Sequence, residues 1–456
     1  MAPAPAQIRR SSFVADLRTV LAGRGFRRLY ATRLISQTGD GIFTAGLSAY
    51  VFFSATTFPN PAAAAISFSV LYLPYSLIGP FAGVFIDRWS RRQILLASAL
   101  IKTGFVALTA IFIAVGAFGP PVWLAGLVVL GVNRFFLSAL SAALPHVADA
   151  DELVMANSVA PTSGTVMAFI GGIIGLGLHI GTGGGPGGSA VTLLLAGLLY
   201  LLAAASTLWM ARGSLGPDFA PGEPGPGSVA RELEGVAAGL ASGLRHVWHR
   251  RRARAALTAT GAHRLCYGIL LLMSILLYRN YFYPTSNGNT ALSHYLPVVV
   301  SSAVGYGAAA LITPVATRRM TNAAWITVLL AVGGVITGVL GPSFGQVEFI
   351  AIGFALGVVA QGIAISTTTI LQWEMEDEYR GRVFSVNDML YNVTFVLGAL
   401  LSALFMPETG RSAPMVIIVA VGYVAAAVLY RAMAGQLPPG ERPPASPSSS
   451  AQSSSS

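Results

Sequence analysis

Runs of about twenty or more apolar residues recur along the whole 456-residue chain, and no other feature restricts its fold so strongly. Coiled as an α-helix, a run of that length crosses the roughly 30 Å hydrocarbon core of a bilayer. The composition agrees: 54% of the residues are apolar and 10% charged, where a soluble domain averages roughly 25% charged. The mean hydropathy is +0.67. A soluble fold of this length could not hide so much apolar surface, so the expected class is an all-α polytopic membrane protein. A formal net charge of +10 could suggest a nucleic-acid partner. The basic residues are instead scattered between apolar runs, as topology signals are, so the lipid bilayer and not nucleic acid is the expected partner. One cysteine, Cys266, rules out an intramolecular disulfide. Enrichment in Arg, Ala and Gly is an association with GC-rich bacterial genomes, and so with a bacterial inner membrane.

In chain order, residues 1–28 form a basic arm with Arg9, Arg10, Arg18, Arg24, Arg27 and Arg28, suited to an anionic inner leaflet. No cleavable signal peptide is expected, because the first apolar run is too long and lacks a small-residue cleavage site. Residues 29–211 hold six runs: 29–53, 62–86, 94–118, 122–144, 154–180 and 190–211. Pro74 and Pro80 predict a kink in the second, and the glycine run 181–188 predicts a flexible turn. Residues 212–254 break the pattern with a Pro/Gly linker at 213–227. Val229, Leu233, Val236, Leu240, Leu244 and Val247 then recur at helical spacing among basic residues, which predicts a helix lying on the membrane surface. Six further runs fill 255–435, near 255–278, 293–316, 323–342, 348–372, 383–406 and 413–434, and a Ser/Pro-rich tail at 436–456 is expected to be disordered. The expectation is therefore twelve transmembrane helices in two six-helix halves with both termini cytoplasmic. The basic residues fit that orientation: 22 of the 28 Arg and Lys fall on inner segments, four within spans, and only Arg279 and Arg411 outside.

The link between the second and third runs reads Gly83-Val84-Phe85-Ile86-Asp87-Arg88-Trp89-Ser90-Arg91-Arg92 and packs four charges into six positions. The halves also echo each other. Arg91-Arg92 follows the second run and Arg318-Arg319 the eighth, and the acidic stretches at Asp149–Val159 and Glu376–Val386 each lead into a Ser-Val pair. The Gly-x-x-x-Asp-Arg-x-x-Arg-Arg loop on a duplicated six-span plan resembles the major facilitator superfamily (MFS) of secondary transporters, over most of the chain excluding the two tails. The resemblance implies a loop that braces the cytoplasmic ends of the two halves in one state of the cycle, carried by Gly83, Asp87, Arg88, Arg91 and Arg92. Asp388, just inside the eleventh span with Asn387, is expected to partner that loop. The second-half copy has Pro314 and Thr317 where the acidic residue would be, so bracing should be asymmetric.

Polar groups inside the apolar runs are the other candidates. Arg33, Gln37, Asp40 and Thr44 share one face of the first helix. Asp40 lies about eleven residues in, roughly 16 Å, near the bilayer midplane. A carboxylate there is costly and should face a water-filled cavity, where it could take up and release a proton or bind substrate. Arg134 and Arg264 lie in the fourth and seventh spans, which line the family's cavity, and either could bind an anionic substrate or pair with Asp40. Lys102 reads as structural, snorkelling to the cytoplasmic end. Glycines of the fifth span, Gly164, Gly171 and Gly175 among them, should let helices touch closely. That span lacks the mid-span Gly-Pro of the family's antiporters, having only Pro161 near its start. Arg380-Gly381-Arg382-Val383-Phe384-Ser385 in turn resembles the start of the eleventh span in drug- and siderophore-exporter branches.

The chain has no P-loop, its six histidines show no metal-ligand spacing, and Gly183 to Gly188 follows no strand. No enzyme activity, cofactor or metal is therefore expected. The expected function is export of a hydrophobic or amphiphilic small molecule by a monomeric, proton-coupled secondary transporter. An importer of a small metabolite and a non-transporting membrane scaffold or sensor are the rival readings; a scaffold needs neither the loop nor a midplane Asp40. A cysteine introduced at Ser228 should react with a membrane-impermeant maleimide only after the cells are permeabilised. Asp87→Asn should leave folding intact and slow turnover, measured as flux per folded protein.

Overall fold

A computed structural model of the chain describes residues 19–53, 61–62, 65–69, 89–149, 152–211, 213–216, 229–283 and 288–434. Twelve long helices account for most of them: α1 (Arg24–Phe53), α2 (Arg91–Ala114), α3 (Pro120–Ala143), α4 (Leu153–Gly181), α5 (Gly185–Leu208), α6 (Val229–His249), α7 (Arg251–Leu276), α8 (Gly288–Thr317), α9 (Asn322–Leu340), α10 (Gln346–Glu374), α11 (Asp377–Phe405) and α12 (Ala413–Ala434). Among the described residues ten helices are long and apolar enough to cross a membrane, all of these except α1 and α6. The 30-residue α1 is long enough but is interrupted by the polar positions from Arg33 to Thr44. The run at 62–86, with Pro74 and Pro80, falls mostly outside the described residues, as do Gly83, Asp87 and Arg88. Outward faces of the helices are apolar, such as Leu194, Leu198 and Leu201 on α5 and Val332, Val335 and Val339 on α9. Charged and hydroxyl groups turn inward instead, the arrangement a lipid solvent imposes.

Local sequence fixes the helix ends. Gly119 at φ +85° lets the chain reverse into Pro120-Pro121, whose fixed φ suits the first turn of α3. The Thr321 hydroxyl accepts the Ala324 N–H at 3.1 Å and caps α9. The glycine run is a turn only to Gly184, because Pro186 starts α5 at Gly185, earlier than the turn expected over 181–188.

Contacts divide the chain into two compact units. Unit 1 takes the described residues up to Ala238 together with Gly268–Val300 and Val396–Ser412; unit 2 takes Gly239–Tyr267, Ser301–Phe395 and the described residues from Ala413. In unit 1, α1 packs on α4 and α5, and α2 on α3 and α5. The α1–α4 contact is backbone on backbone: a Cβ at Gly41 would overlap the Ala168 carbonyl, and one at Gly171 the Thr38 carbonyl. Arginines close the basic end. Arg92 donates to the Thr207 and Leu208 carbonyls at 3.1 and 3.2 Å, and Arg28 to the Trp209 carbonyl at 2.6 Å, so cations meet the negative end of α5. Arg91 donates to the Leu215 carbonyl at 3.0 Å and lies 3.1 Å from His146 Nδ1. Arg279, expected outside the membrane, is only 1% exposed. A π-helical turn, Leu277–Phe282, prolongs α7 and carries its guanidinium to the Phe52 carbonyl at the end of α1, 3.3 Å away.

Unit 2 repeats the devices. A Cβ at Gly305 would overlap the Phe354 carbonyl and one at Gly357 the Ser302 carbonyl, so α8 and α10 also touch through their backbones. Arg251 caps α12 through the Ala432 and Met433 carbonyls at 2.8 and 2.5 Å. The second half of α6 is docked on the start of α11: the His246 ring stacks on Tyr379 at 4.3 Å, and Val247 is buried beside Met375 and Val383. Leu244 and Trp248 stay exposed on its other flank, the groups a surface helix would offer to lipid.

Gly41→Ala should destabilise the protein by about 1–3 kcal/mol, because backbone on both sides must move. Gly177→Ala, where an added Cβ meets nothing within 4 Å, should be neutral or slightly stabilising. Thermal unfolding of the two purified variants in detergent compares them directly.

Candidate functional site

The polar face of α1 leads to a buried ion pair. Lys102 Nζ on α2 lies 2.6 Å from Asp40 Oδ1, and Lys102 is wholly buried. The ammonium donates its two remaining hydrogens to Ser36 Oγ at 3.0 Å and Asn133 Oδ1 at 2.9 Å, so all three of its donors are used. The ring of Tyr200 lies beneath it at 3.9 Å and that of Phe136 at 5.0 Å. The Tyr200 hydroxyl donates to the same Asp40 oxygen at 2.8 Å. Asp40 Oδ1 thus takes two charge-assisted or phenolic bonds while Oδ2 takes none. Asp40 also borders a cavity of about 270 Å³ walled by Phe43, Leu47, Phe52, Val129 and Leu130, with Thr44, Ser48, Asn133 and Tyr200 as its polar members. A chamber walled mainly by apolar side chains can hold an apolar guest, and Asp40 Oδ2, buried and without a partner among the described residues, keeps its acceptor capacity.

Arg33 and Gln37 lie one and two turns before Asp40, both buried, with Arg33 Nε donating to Gln37 Oε1 at 3.1 Å. The Gln37 amide packs against Gly164 of α4, where a Cβ would overlap it. Arg134 is half-buried on α3, one residue past the Asn133 that holds Lys102. The sequence suggested Arg134 or Arg264 as partner of Asp40; Lys102 takes that place. Arg264, in unit 2, donates Nε to the Tyr391 carbonyl at 3.2 Å, and its guanidinium lies 3.7 Å from the Tyr391 ring and 4.5 Å from Phe395. Among the described residues no carboxylate pairs with it. Asp388 and Asn387 on α11 border a second cavity of about 190 Å³, with Thr260 and His263 of α7, Tyr306 of α8 and Tyr391.

Lys102 corrects the sequence reading. It was expected to snorkel, but α2 begins at Arg91 and places it eleven residues in, about 16 Å from that end, facing α1 and α3. A four-carbon stem cannot reach water from there, so the charge is met inside. Tyr200 and Asn133 were also missed: only their convergence on the Lys102–Asp40 pair in space marks them, whereas His263 stood out in the sequence only as the neighbour of Arg264.

No protein-family profile matches the chain. Curated relatives do: an uncharacterised MFS-type transporter of Mycobacterium bovis and one of Mycobacterium tuberculosis are each 34% identical over 422 residues, covering 91% of this chain and 92% of theirs. The chain belongs to the MFS-type transporters. Solved structures of low identity share the fold. The nucleoside transporter NupG has a TM-score of 0.65 at 15% identity over 90% of this chain and 99% of its own. A mutant of the peptide transporter POT reaches 0.67 at 12% identity over 90% and 94%, and a bacterial homologue of the iron transporter ferroportin 0.64 at 15% over 91% and 99%. As a membrane-embedded transporter it handles a small-molecule substrate, and the ion pair in unit 1 lies within its helices.

Removing one member of a buried pair strands the other charge. Lys102→Met should therefore lower stability by about 3 kcal/mol, and Asp40→Asn/Lys102→Met by clearly less than the sum of the single changes. Chemical unfolding of the four proteins in mixed micelles closes that cycle.

Proposed function

We propose that this transporter exports a hydrophobic or amphiphilic small molecule across the bacterial inner membrane, driven by protons, through alternating access of two six-helix halves. The observation that carries the reading is the Asp40–Lys102 pair at the edge of an apolar-walled cavity. The cavity walls suit an apolar guest, and Asp40 Oδ2 is an acceptor with no partner among the described residues. A proton arriving there neutralises Asp40 and leaves the Lys102 ammonium buried without its counter-charge. That state is penalised by several kcal/mol, so protonation favours any conformation in which Lys102 is rehydrated or re-paired. A proton is thereby converted into a shift between conformations. Arg33, Gln37, Arg134 and Arg264 are read as supporting groups of this proton or substrate path.

The same reading gives the loop at Gly83, Asp87, Arg88, Arg91 and Arg92, with Asp388, the role of gate. Support comes from Arg91 and Arg92, which tie the loop's end to the closing turns of unit 1. Basic residues that gather on one set of segments support cytoplasmic termini.

A panel of hydrophobic and amphiphilic compounds, assayed for accumulation in cells with and without the protein, identifies a transported compound. Its flux in proteoliposomes then tests the coupling. Asp40→Asn, fixed in the neutral state, should keep exchange down a gradient and lose nearly all of the flux that an imposed pH difference drives. Full pH-driven flux in Asp40→Asn would remove the proton role from Asp40, and loss of gradient-free exchange would make it a structural or substrate-binding group.

A further inference from the structure

Two residues that line the second cavity, His263 and Asn387, each carry a buried polar atom with no hydrogen-bond partner among the described residues. His263 is 1% exposed, and its Nδ1 lies 3.0 Å from the Tyr423 hydroxyl. Tyr423 is also fully buried, and His263 is its only hydrogen-bond partner among the described residues. A buried phenol with a single partner spends its proton on it, so Tyr423 donates, Nδ1 accepts, and the imidazole proton sits on Nε2. That Nε2–H has no acceptor among the described residues. Asn387 Oδ1, in the same cavity, is a buried acceptor with no donor. Thr260 and Thr367 hydroxyls, which also border it, bond to each other at 3.2 Å. Tyr306, Tyr391 and Asp388 also line it, with Ala360, Ile363 and Thr368.

We propose that this cavity of unit 2 binds the polar head of the transported molecule, and that the head is an uncharged group presenting an acceptor beside a donor, as an amide or lactam edge does. The ligand's acceptor takes the His263 Nε2–H and its donor serves Asn387 Oδ1, so both orphaned atoms are satisfied at once. A cationic head carries donors only and leaves the imidazole N–H unmatched. An anionic head carries acceptors only and leaves Asn387 Oδ1 unmatched. Leaving either atom desolvated and unpaired is penalised, which is how buried polar groups discriminate among ligands of equal size. The flanking tyrosine rings suit a planar head, and about 190 Å³ gives it room. This assignment rests on the reading of the chain as a transporter of an amphiphilic small molecule, whose head it names.

Three probes share one ring and differ only in the edge: benzamide, benzoate and benzylamine. Saturation-transfer NMR on the full chain in lipid nanodiscs measures the affinity of each. Benzamide should bind best, and its Kd should weaken about tenfold in His263→Phe and in Asn387→Leu, the effect of one lost buried hydrogen bond. Tyr423→Phe leaves the cavity wall intact but frees the imidazole proton to move to Nδ1, so it should weaken benzamide by a smaller factor. That variant decides the matter if His263→Phe does not fold, as judged by circular dichroism. Benzoate or benzylamine binding as tightly as benzamide would overturn the proposal, as would a benzamide Kd unchanged in the folded variants. Binding that follows these variants, with no compound of the panel transported, would uphold the cavity and refute the transport reading it rests on.

Discussion

A lysine ammonium buried without access to water is the constraint around which unit 1 is arranged. Desolvating such an ion costs several kcal/mol even after the protein relaxes, and the cost is tolerable only when every donor has a partner and the charge is balanced. Lys102 meets both conditions through three residues drawn from α1 and α3, on either side of its own helix. Tyr200 adds a ring beneath the cation and a hydroxyl to the anion, which ties α5 to the same point. Four helices, α1, α2, α3 and α5, thus meet at one charge pair. Asp40 borders a cavity, and its Oδ2 is buried and takes no hydrogen bond among the described residues.

Glycine contacts and helix-end caps surround that pair. Glycines let α1 and α4 meet backbone to backbone, so these helices are placed by shape rather than by long interlocking side chains. Helix ends are held by arginines on terminal carbonyls, Arg92 on α5 and Arg251 on α12, which fixes each unit internally. Exposed ion pairs such as Arg250–Glu376, at 2.7 Å, add little beside these, about 0–1 kcal/mol. Arg279 on the end of α1 shows the same economy: the guanidinium that looked like an outer-loop charge satisfies a helix-end carbonyl in a dry site.

Much of the fold was legible because the bilayer imposes a simple length and polarity code. The apolar runs fell where the described spans lie, and the small-residue pattern of the fifth span named the glycines that touch α1. Asp40 was legible as well, since a carboxylate in mid-span has no innocent place to go. Its partner was not, because helix periodicity gives depth and face but not which neighbour that face meets. Counting from Ile94 made Lys102 look shallow, and its aim toward α1 and α3 is a tertiary fact. His263 and Asn387 were invisible as a pair for the same reason: they lie more than a hundred residues apart on α7 and α11. The early start of α5 and the π-turn after α7 are local adjustments that composition does not announce.

Protonation of Asp40 beside Lys102 is the step on which the account turns, and infrared spectroscopy reads it without any substrate. Spectra of the purified protein, recorded between acidic and alkaline pH, should contain a carboxylic-acid C=O band that titrates in the wild type. The band should be missing in Asp40→Asn. An identical set of titrating carboxyl bands in wild type and Asp40→Asn would contradict the claim that this pair exchanges the proton.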